Sequence, residues 1–334
     1  MSFSPVDDVP SVAVDAETAD VVAPAEFVGR SPWQLAWRRL RRDRVGIVSG
    51  ITLIVLAVLA LAAPLIAKLY GIGPYEQFQD QLNAFGNPLG YLGGMSGRHW
   101  FGLEPNLGRD IFIRLLYGIR TSLFIAFAAA VITTTIGVAL GILAGYRGGW
   151  IDAVISWVTD LALALPFLVF ALAVIPTIRL RFFGPRDAVP TSFDVAVIIG
   201  IFAVFGWTST ARLVRGQVIS LREHEFVDAA RSMGITTRRM LWRELLPNVW
   251  APILVTFSLA IPQYITGEAA LSFLGVGILE PTPDLGRMIY AGLNDISVDF
   301  AYFFIPGFTL FVLVLAFNLF GDAVRDALDP RSTR

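Results

Sequence analysis

Residue types that usually carry chemistry are scarce in this 334-residue chain, and their spacing excludes most enzymatic sets. There is no cysteine, so no thiolate nucleophile, disulfide framework or thiolate-held metal is available. Histidine occurs only at His99 and His224, too few for the usual metal patterns, and no metal site is expected. Lys68 is the only lysine and follows Ala67, so the Gly-Lys-Ser/Thr of a phosphate-binding loop cannot form. No catalytic residue can be named, and nucleic acid is not an expected partner. The acids that stand out are Asp160 and Glu268, because each interrupts a long apolar run. A carboxylate near the bilayer centre costs about 2.5–3.5 kcal/mol on insertion scales. Each therefore needs a polar neighbour on another helix, a place near the interface, or a polar cavity. No paired Asp or Ser/His groups at matched depth suggest an intramembrane hydrolase, and no constriction suggests a channel.

The elements that must position these acids are membrane helices. The chain is 55% hydrophobic and 16% charged, whereas a soluble domain is roughly a quarter charged. Six runs, 45–67, 121–146, 153–178, 195–211, 245–267 and 300–321, approach the roughly 20 apolar residues that a span requires. The fourth has only 17 residues between its bounding charges; five spans remain if it is re-entrant. The fold class is thus an all-α membrane protein with about six transmembrane helices. Gly137, Gly141 and Gly145 form a four-residue ladder in the second run, a surface for close helix packing. Pro166, Pro252 and Pro262 are expected to kink their helices, and Asn318 to hydrogen-bond between helices.

Residues 1–29 are acidic, with no basic residue before Arg30. They read as a disordered tail, since a secretory signal needs a positive start and an apolar stretch. Segment 30–44, with Trp33, Trp37 and six arginines, reads as a basic interfacial helix opened by Ser31 and Pro32; the remainder, 45–334, forms the membrane domain. With six crossings and an internal N-terminus, 17 basic residues fall on one side and eight on the other, which places both termini inside. The outside loops 71–118 and 280–299 are long for simple connections and are expected to pack on the outer face.

One inside loop, 212–247, is too charged to span and too apolar to float free. Phe226, Ala229, Ala230 and Met233 fall at helical spacing, with Asp228 and Arg231 pointing elsewhere. Gly234 then suits a left-handed helix end followed by apolar Ile235. Thr236 or Thr237 can cap a second helix over 238–246, and Pro247 marks its junction with the fifth span. A short helix, a sharp turn and a second helix make a protrusion that a partner's groove can accept; the bland alternative is a hairpin resting on lipid. His224, just ahead of it, reads as solvated.

Asp228-Ala229-Ala230, three residues, Gly234, nine residues, then Glu244-Leu245-Leu246-Pro247 resembles the EAA loop of binding-protein-dependent ABC import permeases. That pattern is Glu-Ala-Ala, three residues, Gly, nine residues, Ile-x-Leu-Pro; here Asp228 replaces Glu and Glu244 replaces Ile. Phe101-Gly102, Leu107-Gly108-Arg109-Asp110, Glu268-Ala269-Ala270-Leu271-Ser272-Phe273-Leu274-Gly275 and Phe320-Gly321-Asp322 are similar to the C-type subunit of the dipeptide/oligopeptide (peptide/nickel) importers. The likeness runs over 30–334.

The resemblance implies a type I ABC importer permease fold in the bacterial plasma (inner) membrane. It also implies a heterodimer with a homologous B-type permease, one or two cytoplasmic ABC ATPase subunits that hold ATP and Mg, and an extracytoplasmic solute-binding protein, all in contact with membrane lipid. This chain itself holds no cofactor and is no enzyme. ATPase coupling would fall to Glu225, Asp228, Ala229, Ala230, Gly234, Ile235, Leu246 and Pro247. Asp160 and Glu268 are candidates for the translocation pathway, weighed against simple pairing between helices. Arg109 and Arg287 are candidates for binding-protein docking. The expected cargo is a di- or oligopeptide, with nickel chelate, glutathione or a haem-like solute as alternatives.

Overall fold

A computed structural model describes residues 32–184 and 187–328; the acidic tail 1–29 and the Ser31 cap lie outside these residues. The regular elements described are helices, joined at one end by a long loop that carries three isolated β-bridges. Helix α1 (Pro32–Leu40) leads into α2 (Arg44–Tyr70), which Asp43 caps by accepting from the Val45 N–H. Helix α3 (Ile111–Arg147) starts at Asp110, whose side chain accepts from the Ile113 N–H. Next come α4 (Gly149–Ala164), α5 (Phe167–Phe182), α6 (Thr191–Leu221) and α7 (Glu225–Ser232). They are followed by α8 (Thr237–Asn248), α9 (Trp250–Phe273), α10 (Leu285–Asn294) and α11 (Phe300–Leu328).

Helices α2, α3, α6 and α11 are each long and apolar enough to cross a membrane, and the bent pairs α4–α5 and α8–α9 bring the total to as many as six. The fourth span is not the weak one. α6 has 31 residues, because it runs through charges that bounded the apolar run in the sequence. Asp194 meets Arg179 at 2.8 Å, and Arg212 meets Asp160 at 2.8 Å; Arg215 meets Asp152 through both nitrogens. The discontinuity lies in the third span instead, where α4 and α5 bend by 86°. Pro166 does more than kink this helix. It brings no N–H and forces Leu165 into an extended conformation (ψ 126°), so the helix stops and restarts. Pro252, in contrast, sits in the first turn of α9, where a missing N–H breaks no helical bond. Asn318 donates to Val314 O of its own helix, not to a neighbour.

The core is built around α3 and α6. Ile125, Ala126, Ala129 and Ala130 of α3 pack with Ile198, Ile201 and Phe202 of α6 and with Ile261 and Ile265 of α9. Towards the other end the glycine ladder takes over. A Cβ at Gly137, Gly141 or Gly145 would lie 2.7, 2.6 and 2.8 Å from atoms of α6, so the ladder seats α3 on α6 within the subunit.

Candidate functional site

The 212–247 region folds as a knuckle at the α6 end of the bundle. α7 ends at Met233, Gly234 takes φ +75°, and the two reverse-turn hydrogen bonds of a Schellman end are present. The Gly234 N–H donates to Arg231 O at 2.9 Å and the Ile235 N–H to Ala230 O at 3.3 Å. Thr236 occupies the cap position of α8, but its side chain makes no capping hydrogen bond. Nor is α8 a regular helix. An α-turn, Thr237–Arg239, widens into a π-helical stretch, Met240–Leu245, and closes in a 3-10 turn, Leu246–Asn248. Pro247 has no N–H to offer the preceding turn, and the Asn248 side chain donates to the Glu244 carbonyl at 2.6 Å. The chain then turns by 69° into α9. Residues 245–249 thus belong to the knuckle and not to the fifth span.

The structure settles which face of α7 is buried. Val227 and Ala230, one turn apart, face inward and join Met240, Leu245, Val249 and Ile253 against Val138 and Ile142 of α3 and Val214 and Val218 of α6. Met240 and Leu245 are fully buried, each contributing about 1.5–3 kcal/mol by its removal from water. Of the four residues at helical spacing, Ala230 turns in. Phe226, Ala229 and Met233 face out, with Met233 74% exposed. Glu225 and Asp228 flank them in the open; Asp228 lies 3.5 Å from Arg231, whose guanidinium stands over the Tyr146 ring at the end of α3. The knuckle is fastened to the two central helices on one side and bare on the other.

A cavity of about 480 Å³ opens beside the α4–α5 break, between α6 and α9. Its wall combines aromatic rings (Phe167, Phe202, Tyr264) with uncharged polar groups (Ser209, Thr256, Gln263). Asp160 is absent from it: paired with Arg212 and 70% exposed, this acid lines a smaller cleft of about 290 Å³ between α4 and α6. Glu268 is fully buried and accepts from Ser122 at 2.8 Å and Ser272 at 2.9 Å, while Ser272 Oγ accepts from the Ile278 N–H. It ties α3, α9 and the following loop together and does not line the cavity.

At the opposite end a buried charge network fixes the long loop to the bundle. Arg109 pairs bidentately with Glu104 (2.7 Å twice) and reaches Glu280 at 2.7 Å; Arg114 lies 3.4 Å from both acids. Burial opposes the charge on Glu280, but the Arg109 hydrogen bond and the guanidinium charges of Arg114, Arg109 and Arg287 outweigh it and hold its carboxyl below the usual range. The stabilisation from Glu280 is therefore complete at neutral pH and lost as pH falls through that lowered value. Arg109 is 3% exposed, so its charge is spent internally and is not on a docking face. Arg287 remains half-buried near the surface, over the Tyr290 ring. Sequence reasoning missed this network, since Arg109 and Glu280 lie 171 residues apart.

A helical membrane bundle with an uncharged cavity and a half-bare knuckle is the build of a transporter's membrane component. The family description "Binding-protein-dependent transport system inner membrane component" matches residues 137–334, and "N-terminal TM domain of oligopeptide transport permease C" matches 31–88. The dipeptide transport system permease protein DppC of Alkalihalophilus pseudofirmus is 37% identical over 92% of each chain. The glutathione transport system permease protein GsiD of Escherichia coli is 38% identical over 90% of this chain and 91% of its own. The oligopeptide transport system permease protein OppC of Mycobacterium tuberculosis is 34% identical over 92% and 97%. Among solved structures, the inward-facing MetNI methionine ABC transporter overlays on 70% of this chain and 100% of its own, at 19% identity and a TM-score of 0.49. The chain belongs to the binding-protein-dependent transport permeases, as a membrane subunit of the peptide/nickel group of ABC importers. It is a multi-pass, non-enzymatic component in a family whose importers join permease, ATPase and binding protein.

Proposed function

We propose that this chain is the C-type half of a heterodimeric di- or oligopeptide importer, and that α7 is its contact with a separate ATPase. The observation that carries the reading is the bare face of α7. Phe226, Ala229 and Met233 are exposed beside the Gly234 turn, while Val227 and Ala230 fasten the same helix to α3 and α6. Small Ala229 lets a groove approach the backbone closely, and Glu225 and Asp228 offer charge at its rim. Ile235 and Leu246 pack against the inner cluster, and Pro247 sits in the closing 3-10 turn of α8; these three shape the knuckle from behind. ATP and Mg belong to one or two cytoplasmic ATPase subunits below, a homologous B-type permease completes the pathway, and an extracytoplasmic binding protein delivers cargo at the α10 end, where Arg287 stands. The arginine excess at the α1 and α7 end supports cytoplasmic termini in a bacterial inner membrane. ATP-driven closure of the ATPase pair moves the two knuckles and turns the cavity outward; hydrolysis restores the inward-open state.

Peptide cargo is favoured by the wall of the 480 Å³ cavity, whose uncharged amide and hydroxyl groups suit a peptide backbone. Asp160, in its neighbouring cleft, stays at the margin of this pathway. Proteoliposomes holding both permeases and the ATPase, supplied with binding protein and a labelled dipeptide, should accumulate the dipeptide only when ATP is present on the knuckle side. Uptake of glutathione but no dipeptide would replace the cargo, and ATP-independent flux would contradict the importer reading.

A further inference from the structure

Four arginines of the long helices meet a carboxylate: Arg114 faces Glu280, Arg179 faces Asp194, Arg212 faces Asp160 and Arg215 faces Asp152. Arg120 of α3 does not. It is exposed and has no hydrogen-bond or ion-pair partner among the described residues. It stands at one end of a cavity of about 920 Å³ walled by α2, α3 and the start of α6, with Ile261 of α9 and Phe317 of α11; its surface is otherwise nearly all apolar, with Leu53, Ala57, Leu61, Phe124 and Phe127 among its lining. This groove lies on the side of α9 that presents Ile261, whereas the uncharged polar cavity uses Gln263, Tyr264 and Gly267.

Depth decides what the cation meets. α3 has 37 residues, about 55 Å at 1.5 Å per residue, and exceeds a hydrocarbon core of about 30 Å by roughly 25 Å. Shared between both ends, the excess leaves about 12 Å of α3 outside the hydrocarbon on the α10 side. Arg120, nine residues after Ile111, lies about 13 Å along the helix, at the boundary where lipid phosphates begin. The α2 wall of the groove continues into a surface of Ile54, Val58, Leu61 and Leu65, each more than half exposed, as a lipid-facing helix requires.

We propose that this groove holds one anionic phospholipid, its phosphate on the Arg120 guanidinium and an acyl chain against Ala57 and Phe127. Guanidinium and phosphate match as a two-point, charge-assisted contact, and the groove supplies the apolar trough for the tail. The site is independent of which solute the transporter carries.

The assembled transporter, reconstituted in phosphatidylcholine nanodiscs with a minor share of phosphatidylglycerol, provides the test. Native mass spectrometry of the released complex reads the phosphatidylglycerol it retains. Arg120→Gln should reduce retention about tenfold, the loss of one charge-assisted contact. Ala57→Trp, which keeps the charge and fills the trough, should reduce it as well. Wild-type retention in the Arg120→Gln complex overturns the proposal. So does loss in that variant with full retention in Ala57→Trp, which would mean a headgroup contact without a seated chain. A helix of the partner permease occupying the groove in the assembled complex overturns it equally.

Discussion

A transporter carrying Gly234→Val should lose binding-protein-stimulated ATP hydrolysis while its permease still inserts and assembles. Gly234 has φ +75°, and no atom lies within 4 Å of where a Cβ would be. The effect therefore comes through the backbone alone. A left-handed conformation costs an ordinary L-residue about 1–2 kcal/mol, and a β-branched one more. Relief of that strain reorients the Gly234 and Ile235 N–H groups, opens the end of α7 and swings Phe226, Ala229 and Met233 off their present face. Stimulated turnover should fall at least about tenfold, the effect of a 1.4 kcal/mol change in a coupling equilibrium. Gly234→Asn should retain most of it, because asparagine tolerates this region. Equal stimulation in the valine variant and the parent would separate the turn from coupling.

The other large effect concerns the fold. Gly141→Leu should abolish accumulation of folded permease. A Cβ at this position would sit 2.6 Å from the Ala211 carbonyl oxygen and 2.9 Å from the Val214 Cβ. The first of these is backbone and cannot step aside by changing rotamer. Gly137 and Gly145 hold the same close approach one turn to either side, so separating the helices at 141 unseats all three contacts. Overpacking costs typically about 1–3 kcal/mol, and a clash with backbone falls at the high end or beyond it. The measurement is the yield and melting temperature of the detergent-solubilised complex. Gly216→Ala on α6, where a Cβ meets nothing within 4 Å, should leave both unchanged. Parental yield and melting in Gly141→Leu would show that the ladder does not hold the bundle together.

The reach of the sequence differs between elements for physical reasons. Long apolar runs announce α2, α3 and α11, since burial in lipid is a property of composition. The Gly234 turn is legible because only glycine takes a left-handed end without penalty, and the ladder because small residues every four positions share one helix face. The full length of α6 is not legible. Its charges at Asp194, Arg212 and Arg215 look like boundaries until Arg179, Asp160 and Asp152 are seen beside them, and those pairings are long-range. The same applies to Glu268, whose place among Ser122 and Ser272 depends on how α3 meets α9. The knuckle exposes a subtler limit. Helical spacing identifies an apolar stripe on α7, yet spacing cannot say whether the stripe serves the protein's own core or another chain. Val227 and Ala230 take the core; Phe226, Ala229 and Met233 are left free. The π-helical stretch of α8 follows from Pro247 acting within a packed corner, which no local pattern encodes.

The coupling role requires that this free face be covered by an ATPase, and the absence of cysteine from the chain makes that directly measurable. A single Ala229→Cys gives the permease one thiol, on the exposed side of α7 and away from the buried cluster. Alkylation of this thiol by a water-soluble maleimide should be rapid in the permease pair alone and strongly suppressed once the ATPase subunits are bound. Labelling at the same rate with and without the ATPase would mean that the face meets no motor, and would contradict the coupling role.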